Sequence, residues 1–478
     1  MKLNNTETTR YLCAAAYSNE EFCEHVINQT LNEDRQALAP CYGFDLPTVL
    51  KHCLIARSKK NKRDIKLTLL FIFAILCSLV DGFWGILLPC ILEMIVISII
   101  YQERWEIRHF LIKYNFSKKS FTPDLNIPIN HEFHQKLNQK FEEIEKEQNK
   151  KIVIYGRYLP FVGCGYDLGG WTLALDISKG KENLKKIEKP TPFQTNELYD
   201  KINSFVDNVN LYGINVSTED TYYIDGRTIR DDTRFLSDPF ARPLSFSDIL
   251  ENSIEEPAKP NRFYKRIEIS GWKGELIVSI MLRFTKFELK NLEKTLFIEA
   301  KYFLLPPLQR IFYEIDSIQF PATFMQKVDL LFQSFLISFF IWPLSFAQTA
   351  YKIFKPIIDY FKKIIDILII KENPGFNYGS ITSIRENFSD THYRNYFQFL
   401  DQDMYLKVIE NALFEGIVEF LDSKNIDTSE LKNKQSKIIN EGIIMTGGEI
   451  RTGILAIGRR ARAIFNKRKA KTIKKSRR

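Results

Sequence analysis

Residues 67–80 read LTLLFIFAILCSLV, residues 81–85 DGFWG, and residues 86–100 ILLPCILEMIVISII. A soluble core rarely needs so long an apolar run, so the stretch predicts membrane insertion. Each half offers roughly 17 to 20 residues, at the lower end of what crosses ~30 Å of hydrocarbon at 1.5 Å per residue. Asp81-Gly82 marks a turn between them, and a transmembrane helical hairpin over residues 65–103 is the expected reading. Arg57, Lys59, Lys60, Lys62 and Arg63 precede the run, and Arg104 and Arg108 follow it. Loops rich in such residues resist translocation, so both flanks are expected in the cytoplasm and only Asp81 to Trp84 on the far side. That places the chain in the inner, cytoplasmic membrane as a multi-pass protein with both termini cytoplasmic. The run starts too far into the chain for a secretory signal.

Around this hairpin the rest of the chain reads as an α+β protein. Residues 1–64 carry the apolar spacing of short helices, broken by Pro40 and Pro47, and form a helical cap. Residues 104–150 continue as juxtamembrane and stalk helices, with Phe133, Leu137, Phe141 and Ile144 on one stripe. From Lys151 the texture changes to β-branched and aromatic alternation in KIVIYGRYL, WTLALDI, RIEISGW, ELIVSIMLRF and TLFIEAKYFLL. With a helix over residues 196–210, these strands predict an α+β domain spanning residues 151–325.

Residues 330–350 are apolar but diluted by Gln333, Ser334, Ser338, Pro343, Ser345 and Gln348. After them Ile353, Phe354, Ile357, Ile358, Phe361, Ile364, Ile365 and Leu368 share a helical face with lysines on the others. The segment 326–371 therefore reads as an interfacial or re-entrant amphipathic helix, with a third crossing and a buried core helix as the alternatives. Residues 372–435 are helical, notably 396–421, and residues 436–458 are a Gly-containing run of short strands. The last segment, 459–478, is a basic disordered tail.

Net charge is +9, yet this tail alone holds eleven cations: Arg459, Arg460, Arg462, Lys467, Arg468, Lys469, Lys471, Lys474, Lys475, Arg477 and Arg478. The remainder is close to neutral. Such a tail suits anionic lipid or nucleic acid as partner. Seven cysteines without close pairs argue against a disulfide framework.

The stretches TRYLCAAAY, VGCGYDLGGW, YIDGRTIRDDTRFLSDPFARP, KYFLLPPL and IVEFLDSKNIDTSELKNKQSKIINEGIIMTGGEI resemble those of a family of bacterial membrane-anchored proteins of unknown function. The resemblance implies the layout of paired membrane helices plus a cytosolic domain. It brings no activity, cofactor or catalytic residue, and it marks VGCGYDLGGW and DGRTIRDD as signature positions.

Three local patterns invite a chemical reading. The loop with Gly163, Gly165, Tyr166, Asp167, Gly169, Gly170 and Trp171 admits close backbone approach to a ligand. A phosphate cradle, however, needs a helix directly afterwards, whereas WTLALDI reads as a strand, so tight structural bends are the competing reading. Asp225, Asp231 and Asp232 lie beside Arg227, Arg230 and Arg234, a mix more often found neutralising itself on a loop. His131 and His134 lack a third ligand nearby for zinc. No cofactor is indicated and no catalytic arrangement is legible.

Glu93 falls near the expected bilayer midplane, where an unpaired charge costs on the order of 2.5–3.5 kcal/mol, so it is expected to be neutral or partnered. A contact between hairpins of a homo-oligomer and an ion path are the functional readings. Two functions follow from the whole chain. In one, a bacterial signalling or defence-type effector senses a ligand or partner with its cytosolic domain and oligomerises or perturbs the membrane with its hairpin. In the other, the hairpin only anchors a scaffold or enzyme.

Overall fold

The computed structural model describes residues 6–433, apart from 80–81, 109–114, 119–120, 124–130, 149–150, 184–185, 210–213, 237, 244–260, 289–293 and 318–322. The Gly-containing segment 436–458 and the basic tail 459–478 lie outside these residues, as do the side chains of His131 and His134.

The chain is α+β. Helices α1 (Glu7–Ser18) and α2 (Glu20–Ile27) lead into α3 (Leu46–Ser78), α4 (Phe83–Trp105) and α5 (His131–Gln148). Strands β1 (Ile152–Tyr155) and β2 (Tyr166–Asp176), the short β3 (Glu182–Asn183) and β4 (Lys186–Ile187), helix α6 (Thr195–Asp207) and strand β5 (Asn215–Asp225) follow. Then come β6 (Arg262–Gly271), β7 (Leu276–Glu288), β8 (Lys294–Leu305), α7 (Glu314–Ser317), α8 (Phe324–Glu372), α9 (Ile384–Asn387) and α10 (Tyr396–Ser423). Six strands form one mixed sheet in the order β1-β5-β6-β7-β8-β2. Only the β1–β5 pair is parallel.

The sheet follows from period-two patterning. In β7 the residues Leu276, Val278, Ile280, Leu282 and Phe284 face one core, while Met281 faces another with Val153, Phe161, Tyr223 and Phe303. Burial on both faces makes β7 nearly continuous in apolar character, which is why it was legible as a strand. Helices α6 and α10 cover the first face. On α10 the residues Tyr405, Ile409, Leu413, Phe414, Ile417, Phe420 and Leu421 recur at helical spacing, and Phe414 stacks on Trp171 of β2 at 4.9 Å between ring centroids. Reciprocal caps start both helices, Gln194 with Glu197 and Asn395 with Gln398.

Strand β5 was not among the strands expected from the sequence. Its run NVSTEDTYYID is polar because Glu219 and Asp220 sit directly opposite Arg266 and Lys265 of β6 and pair with them across the ladder. Helix α3 runs unbroken through residues 64 and 65, its first turns packed with α1 and α2 in a core that includes Phe22, Phe44 and Phe312. The segment expected at 326–371 is a single helix of 49 residues, α8, with Pro343 and Pro356 inside it.

Candidate functional site

Helices α3 and α4 lie side by side, joined at Gly82, whose φ of 82° is a conformation glycine adopts without strain. Arg63 donates to Glu103 at 2.8 Å, which sets those residues level. Along α4, Trp84 and Trp105 stand 21 residues apart, about 32 Å of helix, the separation of two interfacial aromatic belts. Among the described residues two helices are long and apolar enough to cross a membrane, Phe83–Arg108 and Phe324–Glu372. Helix α3 is not one of them. Only its last turns, from Leu67 to Ser78, are apolar, and charged residues fill the turns before, so the first arm is shorter than the sequence reading gave it.

Helix α8 packs against both α3 and α4, and the contacts follow a ladder. Leu330 lines the same cavity as Ile99. One step on, Ser338 Oγ donates to Glu93 Oε1. Trp342 Nε1 donates to the Leu67 carbonyl at 3.0 Å and its ring meets Phe71. Thr68 Oγ1 reaches the Ser345 carbonyl at 3.1 Å and Thr349 Oγ1 at 3.0 Å. Last, Lys352 Nζ donates at 3.0 Å to Asp64, which Arg63 also holds at 2.8 Å. Ser334, Ser338, Ser345 and Asp64 are all buried. Of the residues that dilute the apolar segment 330–350, the serines Ser334, Ser338 and Ser345 lie on its inward face at helical spacing, whereas Pro343 is exposed.

The outward side is apolar. Leu69, Phe73, Leu76, Phe83, Ile86, Met94, Phe335, Phe339 and Phe340 are exposed, Ile86 and Met94 to 72% and 71%. The seam also buries Leu67, Leu92, Val96, Ile100 and Trp342, so serine, threonine and carboxylate bonds lie within an apolar contact, while large apolar groups also cover the outside, as in helices that pack through hydrogen bonds in lipid. Glu93 thus has a partner within the chain, from α8. Sequence reasoning missed Asp64, whose signal was a lone acid within a basic run.

The glycine loop is built against its own chain. Gly163 and Gly165 have φ of +89° and +87°, and a Cβ on Gly165 would lie 2.1 Å from the Leu304 carbonyl. On Gly170 it would lie 2.1 Å from the Ala300 carbonyl, and Gly169 follows a bulge in the β2–β8 ladder. Asp167 caps the Gly169 amide, Tyr166 is exposed, and Trp171 Nε1 donates to buried Glu410. These glycines let β2 lie close along β8. In the second motif Asp232 pairs with Arg234, Asp225 accepts from the Arg227 amide, and Arg230 donates to the Asn373 carbonyl at 2.6 Å. That loop clasps the end of α8. Among the described residues no group of His, Cys, Asp and Glu is placed to hold a metal ion.

Inside the body, burial shapes the titrating groups. Glu410 is pushed up by burial, against the lowering bonds from Tyr302 and Trp171. His52 is pushed down to about 4 by burial and by Lys51; its Nδ1 meets Tyr17 Oη at 3.1 Å and its Nε2 is buried without a partner. All seven cysteines are free, and burial lifts the Cys164 thiol, first of its causes, to about 12. A thiol so placed is a poor nucleophile.

No curated protein and no solved structure matches the chain. A family model, described as an AbeC-like domain, matches residues 170–451, from β2 through α8 and α10.

Proposed function

The chain belongs to the AbeC-like domain family, and from that premise we propose that it is a membrane-embedded effector of the bacterial signalling or defence type. The α+β body senses a ligand or partner, and the α3–α4–α8 bundle answers by oligomerising or by perturbing the bilayer. The observation that carries the reading is the polar seam of the bundle: buried serines and a buried aspartate within it, exposed Phe, Leu, Ile and Met outside it. A simple anchor needs one apolar helix and no internal polar ladder. Here the ladder ties α8 to both arms, and α8 lies within the matched family segment.

The membrane part is tested by thiol labelling. Single cysteines at residue 60 and residue 140 should resist an impermeant reagent added to intact cells, while one at Asp81 reacts. Reaction at residue 140 but not at 60 would sink the hairpin. The effector part is tested by dye release from vesicles on reconstitution of the full chain. Insertion without release or oligomerisation, with or without cell extract, would leave an anchor alone.

A further inference from the structure

Where the hairpin meets the body, residues of α1, α2, α3, α4, α7 and α8 line an open cavity of about 920 Å3. Eight cations and five carboxylates line it, an excess of three positive charges. Lys59 pairs with Glu106 at 3.1 Å, Arg63 with Glu103 at 2.8 Å, and Lys60 with Glu20. Those pairs leave Arg57, Lys62, Lys66, Arg104 and Arg108 with no carboxylate partner among the described residues. Arg104 and Arg108 stand one helical turn apart, and Arg104 Nη1 is buried with no acceptor among the described residues. A buried guanidinium nitrogen without an acceptor is costly, and a cluster of like charges adds to that cost until an anion enters.

The same cavity is lined by Ile99, Ile311, Ile315 and Leu330. Beside it Tyr101 stacks on Trp105, and Lys327 Nζ lies 5.6 Å over the Trp105 ring. Aromatic and cationic groups on this turn of α4 sit at headgroup level if α4 crosses, so the inference rests on the membrane reading above. An inorganic phosphate has no use for the four aliphatic walls, whereas a lipid has use for both halves. We infer that this cavity binds the phosphate of an anionic phospholipid, with Arg104 and Arg108 as the principal donors. Guanidinium groups make the paired, charge-assisted bonds that phosphate oxygens accept. The aliphatic side chains receive the first carbons of the acyl chains.

The test uses the full chain reconstituted in nanodiscs of equal phosphatidylcholine and phosphatidylglycerol, then extracted in mild detergent, with the retained lipid measured by mass spectrometry. Phosphatidylglycerol should be enriched about tenfold over the bulk ratio, the factor that corresponds to about 1.4 kcal/mol. Arg104→Gln with Arg108→Gln should abolish the enrichment while the basic tail is unchanged. Lys62→Gln with Lys66→Gln, at exposed positions, should reduce it partly and guards against a double arginine variant that fails to fold. Retention in the bulk ratio by the native chain, or enrichment that survives both variants, overturns the inference alone. Complete displacement of the lipid by added inorganic phosphate assigns the site to free phosphate and overturns the lipid. A chain that does not enter nanodiscs overturns this inference together with the membrane reading.

Discussion

The body around the six-stranded sheet and the bundle of α3, α4 and α8 both bury apolar side chains, but they differ in the polar groups held at the seam and in what they expose. In the body, Trp171, Ile280, Leu413 and Phe414 lie inside, and charges such as Lys201 and Glu419 pair on the surface. In the bundle Ser338, Ser345 and Asp64 lie inside, and Phe73, Met94 and Phe340 lie outside. In water the first arrangement gains from apolar burial and the second forgoes part of it. Among lipid tails no such gain exists between helices, and close packing with interhelical hydrogen bonds takes over. On the proposed membrane reading one chain carries two solvents' worth of folding logic, and α3 carries both within a single helix.

The contrast breaks first where burial is deepest. Phe414→Ala, which removes the ring stacked on Trp171, should cost about 3–5 kcal/mol in chemical unfolding of the body. A loss under about 1 kcal/mol would mean that α10 is not a core helix. Next comes a matched pair at equal exposure, Met94→Lys on the bundle and Ile187→Lys on the body, 71% and 76% exposed. If Met94 faces lipid, its substitution should cost about 3 kcal/mol of insertion, while Ile187→Lys stays within about 0.5 kcal/mol. Equal effects in a membrane-fraction assay would erase the distinction between the two regions.

A pH series sharpens the body's side. Burial holds the folded pKa of His52 near 4, below its unfolded value near 6.5. The unfolded chain then binds the proton first, so the contribution is present above pH 6.5 and is lost as pH falls toward 4. The loss should reach about 2–3 kcal/mol and should be absent from His52→Gln. Glu410, raised by burial, works in the other direction, so the difference between native chain and variant is the quantity to read. An identical pH slope in the two would remove His52 from the account. The smallest effect belongs to the seam. Ser338→Ala removes the donor to Glu93 and should cost about 0.6 kcal/mol of bundle stability, read by denaturing-detergent titration.

The apolar runs, the strong strands and the α10 stripe were legible because each repeats one period over many residues. β5 was not, because Glu219 and Asp220 satisfy their charges on the facing strand, a pairing that only the register reveals. The apolar part of α3 is short because Arg63, Asp64 and Lys66 precede it and the helix ends at Ser78, an end that the apolar count alone does not reveal. At the seam, Glu93 was recognisable from its position, but its partner was not, since Ser338 lies 245 residues away. Asp64 shows the same limit: its neighbours in sequence are basic, and the lysine it meets from α8 is 288 residues on. The glycine loop could be read as bends or as a cradle until the carbonyls of β8 filled the space beside it.

Helix α8 is fastened to the body at its far end, where Arg230 donates to the Asn373 carbonyl and Ile370 is fully buried, while Phe324 and Met325 at its start are exposed. Between those ends Ser338 and Lys352 tie it to α4 and α3. It is one continuous rod shared by the body and the seam, and Pro343 and Pro356, each missing a helical donor, are where such a rod bends most easily. A shift of the loop that carries Arg230 is thereby delivered along the rod to the residues that grip α3 and α4.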